Sequence, residues 1–325
     1  MGAETTTSDF PEALKAESYK WYWENYDPLP KVYPEIFEVR PTSKLYEKST
    51  SAVGTGLLVR KAENEAGRVK APTEGFNVYG SVPGWMKIES ITKELHDDVQ
   101  KLSNFLKSQM PQWTKDCVET AETFYAGVFN YGGYTAGHHG TFDASVPGNV
   151  LTDSTGDVIY DSESLIGTAH VNKAGTSYSN GLGALNITKA NLQTAWNRMA
   201  VTNNRREDDT KVAIRPSKLL ASPALKFTID ELIKSPDDPT TSNRAINVMR
   251  DLVQPIYWHY LTDADQWTLL ATNKLGLVAL WRENPEFDMW EDKPSKGYFM
   301  SIWMRFGVMI ENYRGVVSAN YATAA

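Results

Sequence analysis

The sequence has a single cysteine, Cys117, among 325 residues, and this scarcity restricts the classes of protein to which it can belong. A lone thiol cannot form an intramolecular disulfide, so a disulfide framework is excluded and a reducing compartment is favoured. No run of about 18 apolar residues occurs, which argues against a membrane-spanning helix. The N-terminus, MGAETTTSDF, lacks the positive and then apolar pattern of a secretory signal. These absences predict a soluble product that works or assembles inside a cell.

The chain also has no excess of basic charge, with 33 Lys and Arg against 40 Asp and Glu. The formal net charge is −7, so the chain lacks the excess of Lys and Arg that gives general affinity for nucleic acid. The ten Trp, 16 Tyr and 11 Phe predict a folded chain with a sizeable core. We expect one large domain or two modest ones.

Motifs for catalysis and ligand binding are missing as well. The glycine-containing stretches match neither a P-loop nor a dinucleotide fingerprint, and no G-x-S-x-G elbow occurs. The pair His138–His139 lacks flanking ligands at metal spacing, and His170 and His259 are isolated, so packed or exposed side chains are the better interpretation. Cys117 lies on an apolar helical stripe and is interpreted as a core residue. We therefore predict no catalytic residue, no cofactor-binding residue, no cofactor and no metal site.

The stretch Pro111–Asn130 has the clearest secondary-structure signal. Its apolar residues recur at helical spacing and define one face of an α-helix: Trp113, Cys117, Ala121, Phe124 and Val128. The opposite face is interpreted as facing water or a polar neighbour and carries Lys115, Asp116, Glu119, Glu122 and Thr123. Pro111 suits the first helical position, and Gly132–Gly133 is expected to end the helix through a left-handed cap. A separate helix is expected before Pro111, from the spacing of Leu95, Val99, Leu102 and Leu106.

The longest predicted strand covers Tyr298–Asn312, where apolar residues alternate at a period of two and are expected to pack against a helix layer. The run Arg205–Asp209 is interpreted as a solvated face or a turn. Shorter predicted elements are a helix after Thr188, a strand in KVAIRPSKLLASP, a helix over Pro223–Ile233, a short helix in RAINVMRDL, and strands in VQPIYWHYL, QWTLLAT and LGLVALW. Because helices and strands are partly segregated without a βαβ rhythm, the predicted fold class is α+β.

Two N-terminal segments are too irregular or too polar to form their own cores. Residues 1–39 mix aromatics with prolines, and a short helix over Pro11–Asn25 is expected before an extended PLPKVYPEIFEV arm. This arm either lies on another surface or packs back on its own domain. The stretch GTGLLVRKAENEAGRVKAPTEGF predicts a β-hairpin with its turn at Asn64–Gly67, which leans on a partner or forms a plain surface loop. An arm and a hairpin without their own cores, in a chain with no recognisable set of catalytic residues, predict a protein that contacts copies of itself. An enzyme or a glycan-binding protein is disfavoured.

Four stretches resemble the major capsid proteins of tailed bacteriophages, especially the Mu-like major head subunits. Three of them are Ser164–Met199, Ile214–Ser235 with its Arg-Pro strand and Pro-Ala-Leu helix, and Asn247–Ala271 with its LTDADQW motif. The fourth is Phe299–Asn320, in which the family's order is matched by Arg305, Phe306, Gly307, Arg314 and Gly315. Together the four stretches cover about half of the chain.

The resemblance implies the Hong Kong 97-type capsid fold, with which the N-terminal order of arm, hairpin and long helix agrees. The implied parts are an N-terminal arm 1–40, an E-loop hairpin 41–84, a peripheral domain 85–221 with a spine helix 111–130 and a loop-rich insertion 132–185, an axial domain 222–283, and residues 284–325, whose long strand returns to the peripheral domain. The implied function is that of a major capsid protein, a structural protein and not an enzyme. An encapsulin-like compartment subunit is the alternative with the same fold.

The implied partners are other copies of the chain, in pentamers and hexamers of an icosahedral shell, together with portal and scaffolding proteins and, as a further candidate, decoration proteins. The shell would enclose double-stranded DNA without sequence-specific binding or membrane contact, and would be assembled in the host bacterial cytoplasm to become part of the virion. Because no long helical scaffolding segment is found at the N-terminus, a separate scaffold or prior processing is expected. An acidic or neutral inner wall is expected to confine DNA without gripping it. Lys61 and Lys70 flank the expected hairpin tip and could form cross-links, although solvated charges or ion pairs are commoner.

Overall fold

A computed structural model of the chain describes residues 20, 24–26, 29–67, 69, 71, 73–92, 102–133, 163–237, 245–274, 276–292, 294 and 297–321. The helices named below are α1 (Tyr33–Ile36), α2 (Leu102–Asn130), α3 (Lys189–Asn197) and α4 (Lys226–Lys234). The strands are β1 (Glu38–Pro41), β2 (Tyr46–Val53), β3 (Thr73–Ser81), β4 (Gly84–Ile91), β5 (His170–Val171), β6 (Ser177–Tyr178), β7 (Pro216–Ala221), β8 (Gln254–Tyr257), β9 (Trp267–Ala271), β10 (Leu277–Glu291), β11 (Tyr298–Ile310) and β12 (Val316–Ala319).

Helix α2 contains the predicted helix but begins earlier. It has 29 residues, about 44 Å at 1.5 Å per residue, and Pro111 lies inside it. The prediction that Pro111 starts a new helix was therefore wrong. A proline inside a helix costs about 3 kcal/mol because it removes a hydrogen bond and crowds the preceding turn. Burial of the apolar stripe that follows offsets this cost, since Trp113, Cys117, Phe124 and Val128 are each at most 5% exposed.

The C-terminal end of α2 does not use the predicted left-handed cap. Gly132 has no positive φ, and its N–H donates to the Phe129 carbonyl at 3.1 Å. A Cβ at Gly132 would lie 2.5 Å from Cδ1 of Ile166. Glycine at this position is favoured by the close approach of the Ile166 side chain, and not by a left-handed backbone.

The first sheet has the strand order β1-β10-β11-β4, with β1 parallel to β10 and the other pairs antiparallel. Helix α2 packs on this sheet as predicted: the rings of Phe124 and Phe306 are 4.9 Å apart, and Tyr125 donates to the Gly307 carbonyl at 3.2 Å. The long strand ends at Ile310, two residues before the predicted end. Strand β10 continues without interruption past residue 283.

The second sheet has the order β12-β9-β7-β8 and separates two cores. Leu220, Ile256 and Leu270 join the core around α2, whereas Leu219 and Leu269 join a second core with α3 and α4. These faces alternate because successive residues of a strand point to opposite sides. Helix α3 follows Thr188 as predicted, and the Thr188 hydroxyl caps it by accepting from the Asn191 N–H. The chain is thus α+β, as predicted.

Two further sequence predictions need correction. The described part of RAINVMRDL, residues 245–252, forms a turn and not a helix, because the Asn247 side chain donates to the Leu232 and Ser235 carbonyls and accepts from the Met249 N–H. The hairpin is present, but its strands are β2 and β3 and not the residues beside Asn64–Gly67, which form an exposed loop. Several predictions fall wholly or largely outside the described residues: His138–His139, Lys70, the helix residues Leu95 and Val99, most of Pro11–Asn25, and residues 134–162 of the loop-rich insertion.

Candidate assembly surfaces

The arm segment Val32–Pro41 packs on its own subunit. Of the two alternatives that the sequence left open, packing on the chain's own domain is therefore correct for these residues. The Tyr33 ring stacks on Tyr125 with centroids 4.6 Å apart, and Phe37 is fully buried against Phe129. Strand β1 then adds to the edge of the first sheet, and Arg40 forms an ion pair with Glu311 at 3.0 Å. The arm is therefore an integral part of the first core from Val32 onward.

Glu122 of α2 anchors this arm segment, contrary to the interpretation that it faces water. Its residue is 2% exposed, and its carboxylate accepts from the backbone N–H groups of Val32 at 2.7 Å and Tyr33 at 3.3 Å, and from Trp258 Nε1 at 2.5 Å. Burial raises the pKa of the Glu122 carboxyl, and these three hydrogen bonds oppose the rise without cancelling it. Burial and the Glu122 charge in turn raise the pKa of Tyr33 to about 12.

The hairpin β2–β3 is anchored at its base and exposed at its tip. Val78 and Val82 are buried, and Gly80 lies so close to Leu280 and Met309 that a Cβ would come within 2.8 Å of both side chains. The connecting loop 54–71 instead exposes apolar side chains, with Leu57 79%, Leu58 102%, Val59 64% and Val69 95% exposed. Arg60 and Lys61 come directly after Val59 in the sequence and are also exposed. The stretch Leu57–Lys61 is therefore apolar and basic, whereas the exposed Glu63 and Glu65 follow it in the same loop. An exposed apolar stretch of this kind is typical of a contact site.

A second exposed apolar surface lies on the face of the first sheet that points away from α2. Odd-numbered residues of β11 face this side, and β3 covers only one end of it, where the Ser81 carbonyl touches Gly307. The other end, which we call the outer face, carries Met86, Ile88, Trp290, Phe299 and Trp303. Met86 and Ile88 are about half exposed, and the Trp290 ring stacks on Phe299 at 5.8 Å.

The outer face is acidic at its border. Glu286 and Asp288 are exposed on β10, in register with Trp303 and Ser301. Acidic side chains beside an exposed aromatic ring complement the apolar and basic stretch Leu57–Lys61 of the hairpin loop.

The charged run Arg205–Asp209 is a turn, as predicted, but one member is buried. Glu207 forms an ion pair with Arg314 at 2.8 Å, and both side chains are under 10% exposed. Beside this pair, the His170 ring stacks on Tyr313 at 3.8 Å and contacts Asn180 Oδ1 at 3.2 Å. The sequence missed the burial of Glu207 because its partner is more than 100 positions away.

The remaining candidate residues fit the interpretations made from the sequence. His170 is a packed side chain, His259 is exposed and Cys117 is a buried core thiol. In the described part of the chain, no three His, Cys, Asp or Glu side chains are grouped so that they could hold a metal ion. None of the helices described there is long and apolar enough to cross a membrane. The features that the described residues do present are a docked arm, an exposed loop and an uncovered sheet face.

Family comparison identifies which structural subunit this is. Residues 90–319 match the family described as phage capsid protein, and because this is well over half of the 325 residues, the chain belongs to that family. No curated protein matches the chain by sequence.

Solved structures agree on the fold. The chain is similar to a structure described as the capsid of a native GTA particle, with a TM-score of 0.53 and 8% identity over 91% of this chain and 94% of that chain. It is also similar to structures from Microbacterium phage Oxtober96, with a TM-score of 0.52 and 10% identity, and Mycobacterium phage Bobi, with 0.50 and 12%; each covers 99% of this chain and 100% of that chain. Identities this low show the fold alone, which is the expected Hong Kong 97-type capsid fold.

The family and the fold together confirm a major capsid protein of the tailed-phage kind, a structural protein and not an enzyme. The encapsulin-like alternative has less support, because the matched family is one of phage capsids.

Proposed function

We propose that copies of this chain form pentamers and hexamers of an icosahedral shell, and that the loop of one copy docks on the outer face of a neighbour. The complementarity of these two surfaces carries the proposal: Leu57, Leu58 and Val59 would cover exposed aromatic and aliphatic side chains, while Arg60 and Lys61 would approach Glu286 and Asp288. Each contact is modest, but many identical contacts add up around a closed shell.

The division of the chain follows from this assembly. Residues 1–40 are the arm, 41–84 the E-loop, 85–221 the peripheral domain, 222–283 the axial domain, and 284–325 the return to the peripheral domain. The docked arm and exposed loop support the first two parts. The proposed boundary at 283 falls within β10, at the point where its pairing with β11 is irregular between Trp281 and Glu286.

The shell encloses double-stranded DNA in the virion, and assembly takes place in the host bacterial cytoplasm with portal and scaffolding proteins. The net charge of −7 supports confinement of DNA without sequence-specific binding. A mapped inner surface that is strongly positive would count against this part of the proposal.

Assembly of the purified chain tests the docking proposal. Mass measurement and negative-stain images should show capsomers, shells or tubes for the wild type and for Leu58→Met, which keeps the apolar contact. Leu58→Asp and Ile88→Asp should each leave a folded subunit that assembles poorly, because a charge enters an apolar contact. Normal assembly of both Asp variants would refute the proposed contact, and a strictly monomeric wild type would refute the shell.

A further inference from the structure

The two four-stranded sheets have four edge strands among the described residues, and three of these edges are protected against pairing with another chain. Strands β1 and β8 have four residues each and contain Pro41 and Pro255, and proline lacks the N–H that a further strand would bind. Strand β12 is covered by the segment before α3. The Ser318 carbonyl accepts there from the Leu182 N–H at 2.9 Å, and the Ser318 N–H donates to the Asn180 carbonyl at 3.0 Å.

Strand β4 forms the fourth edge and has no such protection. It has eight residues and contains no proline. Within the described residues β11 is the only strand that pairs with it, so the backbone groups that point away from β11 have no strand to bind. A lysine on an edge strand often prevents association by its charge, but the Lys87 ammonium is held by Asp116 at 2.8 Å and Glu89 at 2.7 Å. This edge is therefore open to another strand.

The side chains of β4 alternate between the two faces of the first sheet. The Trp85 ring packs on Phe124 and Phe306 with centroids 5.3 and 5.1 Å apart, so the odd-numbered residues face α2. Met86 and Ile88 lie on the outer face and are 53% and 51% exposed. Residues directly opposite each other in a pair of strands share a face, so a strand added to β4 must place apolar beside apolar and a charge beside its opposite.

The sequence of β4 meets these requirements with a second copy of itself. Two antiparallel copies related by a two-fold axis at Ile88 bring the two Ile88 side chains together on the outer face. On the face towards α2, Lys87 of each copy then lies opposite Glu89 of the other. A register centred on Lys87 or Glu89 would set like charges against each other, and one centred between two residues would oppose side chains of different faces. Charge and alternation thus select the register centred on Ile88.

We propose that the β4 strands of two copies pair antiparallel about this axis, so that their first sheets join into one eight-stranded sheet. The contact is isologous, since both copies use the same surface. It leaves the outer face open to the hairpin loop, because strand pairing uses the edge of the sheet and not its face. The pairing is a second contact between copies, separate from loop docking, and it fits the two-fold axes of the proposed icosahedral shell.

Disulfide cross-linking of the assembled protein tests the register. Opposite Cβ atoms of an antiparallel pair are about 4.5–5.5 Å apart, so Ile88→Cys should give a covalent dimer on mild oxidation. Met86→Cys is the matched control, because it is equally exposed on the same face but lies about 13 Å along the strand from its counterpart. It should cross-link only when combined with Ser90→Cys, which the register places opposite it. The parent chain should give no dimer, because its only cysteine is buried.

Charge variants in the Ile88→Cys chain test the pairing in a second way. Lys87→Glu and Glu89→Lys each set like charges across the axis, so either variant alone should give about tenfold less covalent dimer. A mixture of the two variants restores opposite charges at both pairs, and mass spectrometry should find mixed dimers well above the share expected from random pairing. Glu89→Lys keeps the ion pair between Lys87 and Asp116, so it serves by itself if Lys87→Glu folds poorly.

Three results would overturn the proposal: no covalent dimer from Ile88→Cys, an equal yield from Met86→Cys alone, or a random share of mixed dimers. Loop docking is judged separately from Leu58→Asp, which leaves β4 unchanged. Failure of the loop contact and failure of the strand pairing are therefore distinguishable.

Discussion

Glu122 and Trp258 are 136 positions apart in sequence, yet the carboxylate Oε2 accepts from the indole Nε1 at 2.5 Å. The other carboxylate oxygen binds the N–H groups of Val32 and Tyr33. One side chain of α2 therefore joins the arm to the segment that follows β8. Both carboxylate oxygens accept hydrogen bonds, so the site requires an acceptor facing the arm N–H groups and another facing the Trp258 indole.

Glu122→Gln should destabilise the subunit, although the helical pattern places Glu122 on the polar face. Glutamine keeps one acceptor oxygen, and its NH₂ group would face either the arm N–H groups or Trp258, so that donor meets donor. The expected loss in the free energy of unfolding is about 1–3 kcal/mol. Urea unfolding measures it, with Glu119→Gln as the control. Glu119 is 40% exposed beside Lys115, and its substitution should change the free energy by no more than about 0.5 kcal/mol.

The pH dependence of stability should report the same carboxyl. Its pKa in the folded state is raised above the ordinary value of 4.5, so the folded state binds the proton more tightly than the unfolded chain. The stability linked to this proton is fully present below the unfolded pKa and is lost as pH rises through the folded pKa. The stability difference between wild type and Glu122→Gln should therefore increase as pH falls from about 7 towards 4. A difference that stays constant or shrinks over this range would show that Glu122 is not the group responsible.

Phe124→Asp should prevent folding of the subunit and therefore its assembly. Phe124 is 2% exposed and packs on Phe306 at 4.9 Å and Trp85 at 5.3 Å, so the new carboxylate would have neither water nor a partner. The expected loss exceeds about 3 kcal/mol. Thermal unfolding of the unassembled subunit measures this effect, with Phe227→Asp as the control. Phe227 is 84% exposed, so that control should unfold at nearly the wild-type temperature.

Three glycine substitutions should rank by what the added methyl group meets. At Gly307 a Cβ would lie 1.9 Å from the backbone oxygen of Ser81, which cannot move without displacing β3 from the sheet. At Gly132 it would meet the flexible end of Ile166 at 2.5 Å, and at Gly67 nothing lies within 4 Å. Thermal unfolding should therefore show a large loss for Gly307→Ala, a small loss for Gly132→Ala and none for Gly67→Ala. The reverse order for Gly307 and Gly67 would contradict the close approach of β3.

The elements that the sequence predicted well are those whose pattern depends on local periodicity. The stripe from Trp113 to Val128 and the alternation in β11 each bury one face, so spacing alone locates them. Strand β2 escaped prediction because its residues are mostly exposed and do not alternate in hydrophobicity.

The roles of charged residues were hidden for a different reason. Glu122 occupies the polar side of the helical pattern, and only partners that are far away in sequence bury it.

Pro111 was misjudged because a local rule places proline at helix starts, whereas burial of the following stripe keeps the helix continuous. The complementary surfaces of the hairpin loop and the outer face require three-dimensional positions that spacing does not supply.

Strand β1 pairs with β10 in register Glu38–Val278 to Pro41–Trp281, which joins the first eighth of the chain to its last fifth. During synthesis the arm leaves the ribosome long before its partner strand exists, and β11 is made later still. The sheet on which α2 packs therefore closes only when almost the whole chain has emerged. Such distant pairing makes folding slow, because loop closure must precede the contacts that reward it. It also means that a prematurely terminated chain lacks the sheet on which the outer face is built, and so cannot be incorporated into a growing shell.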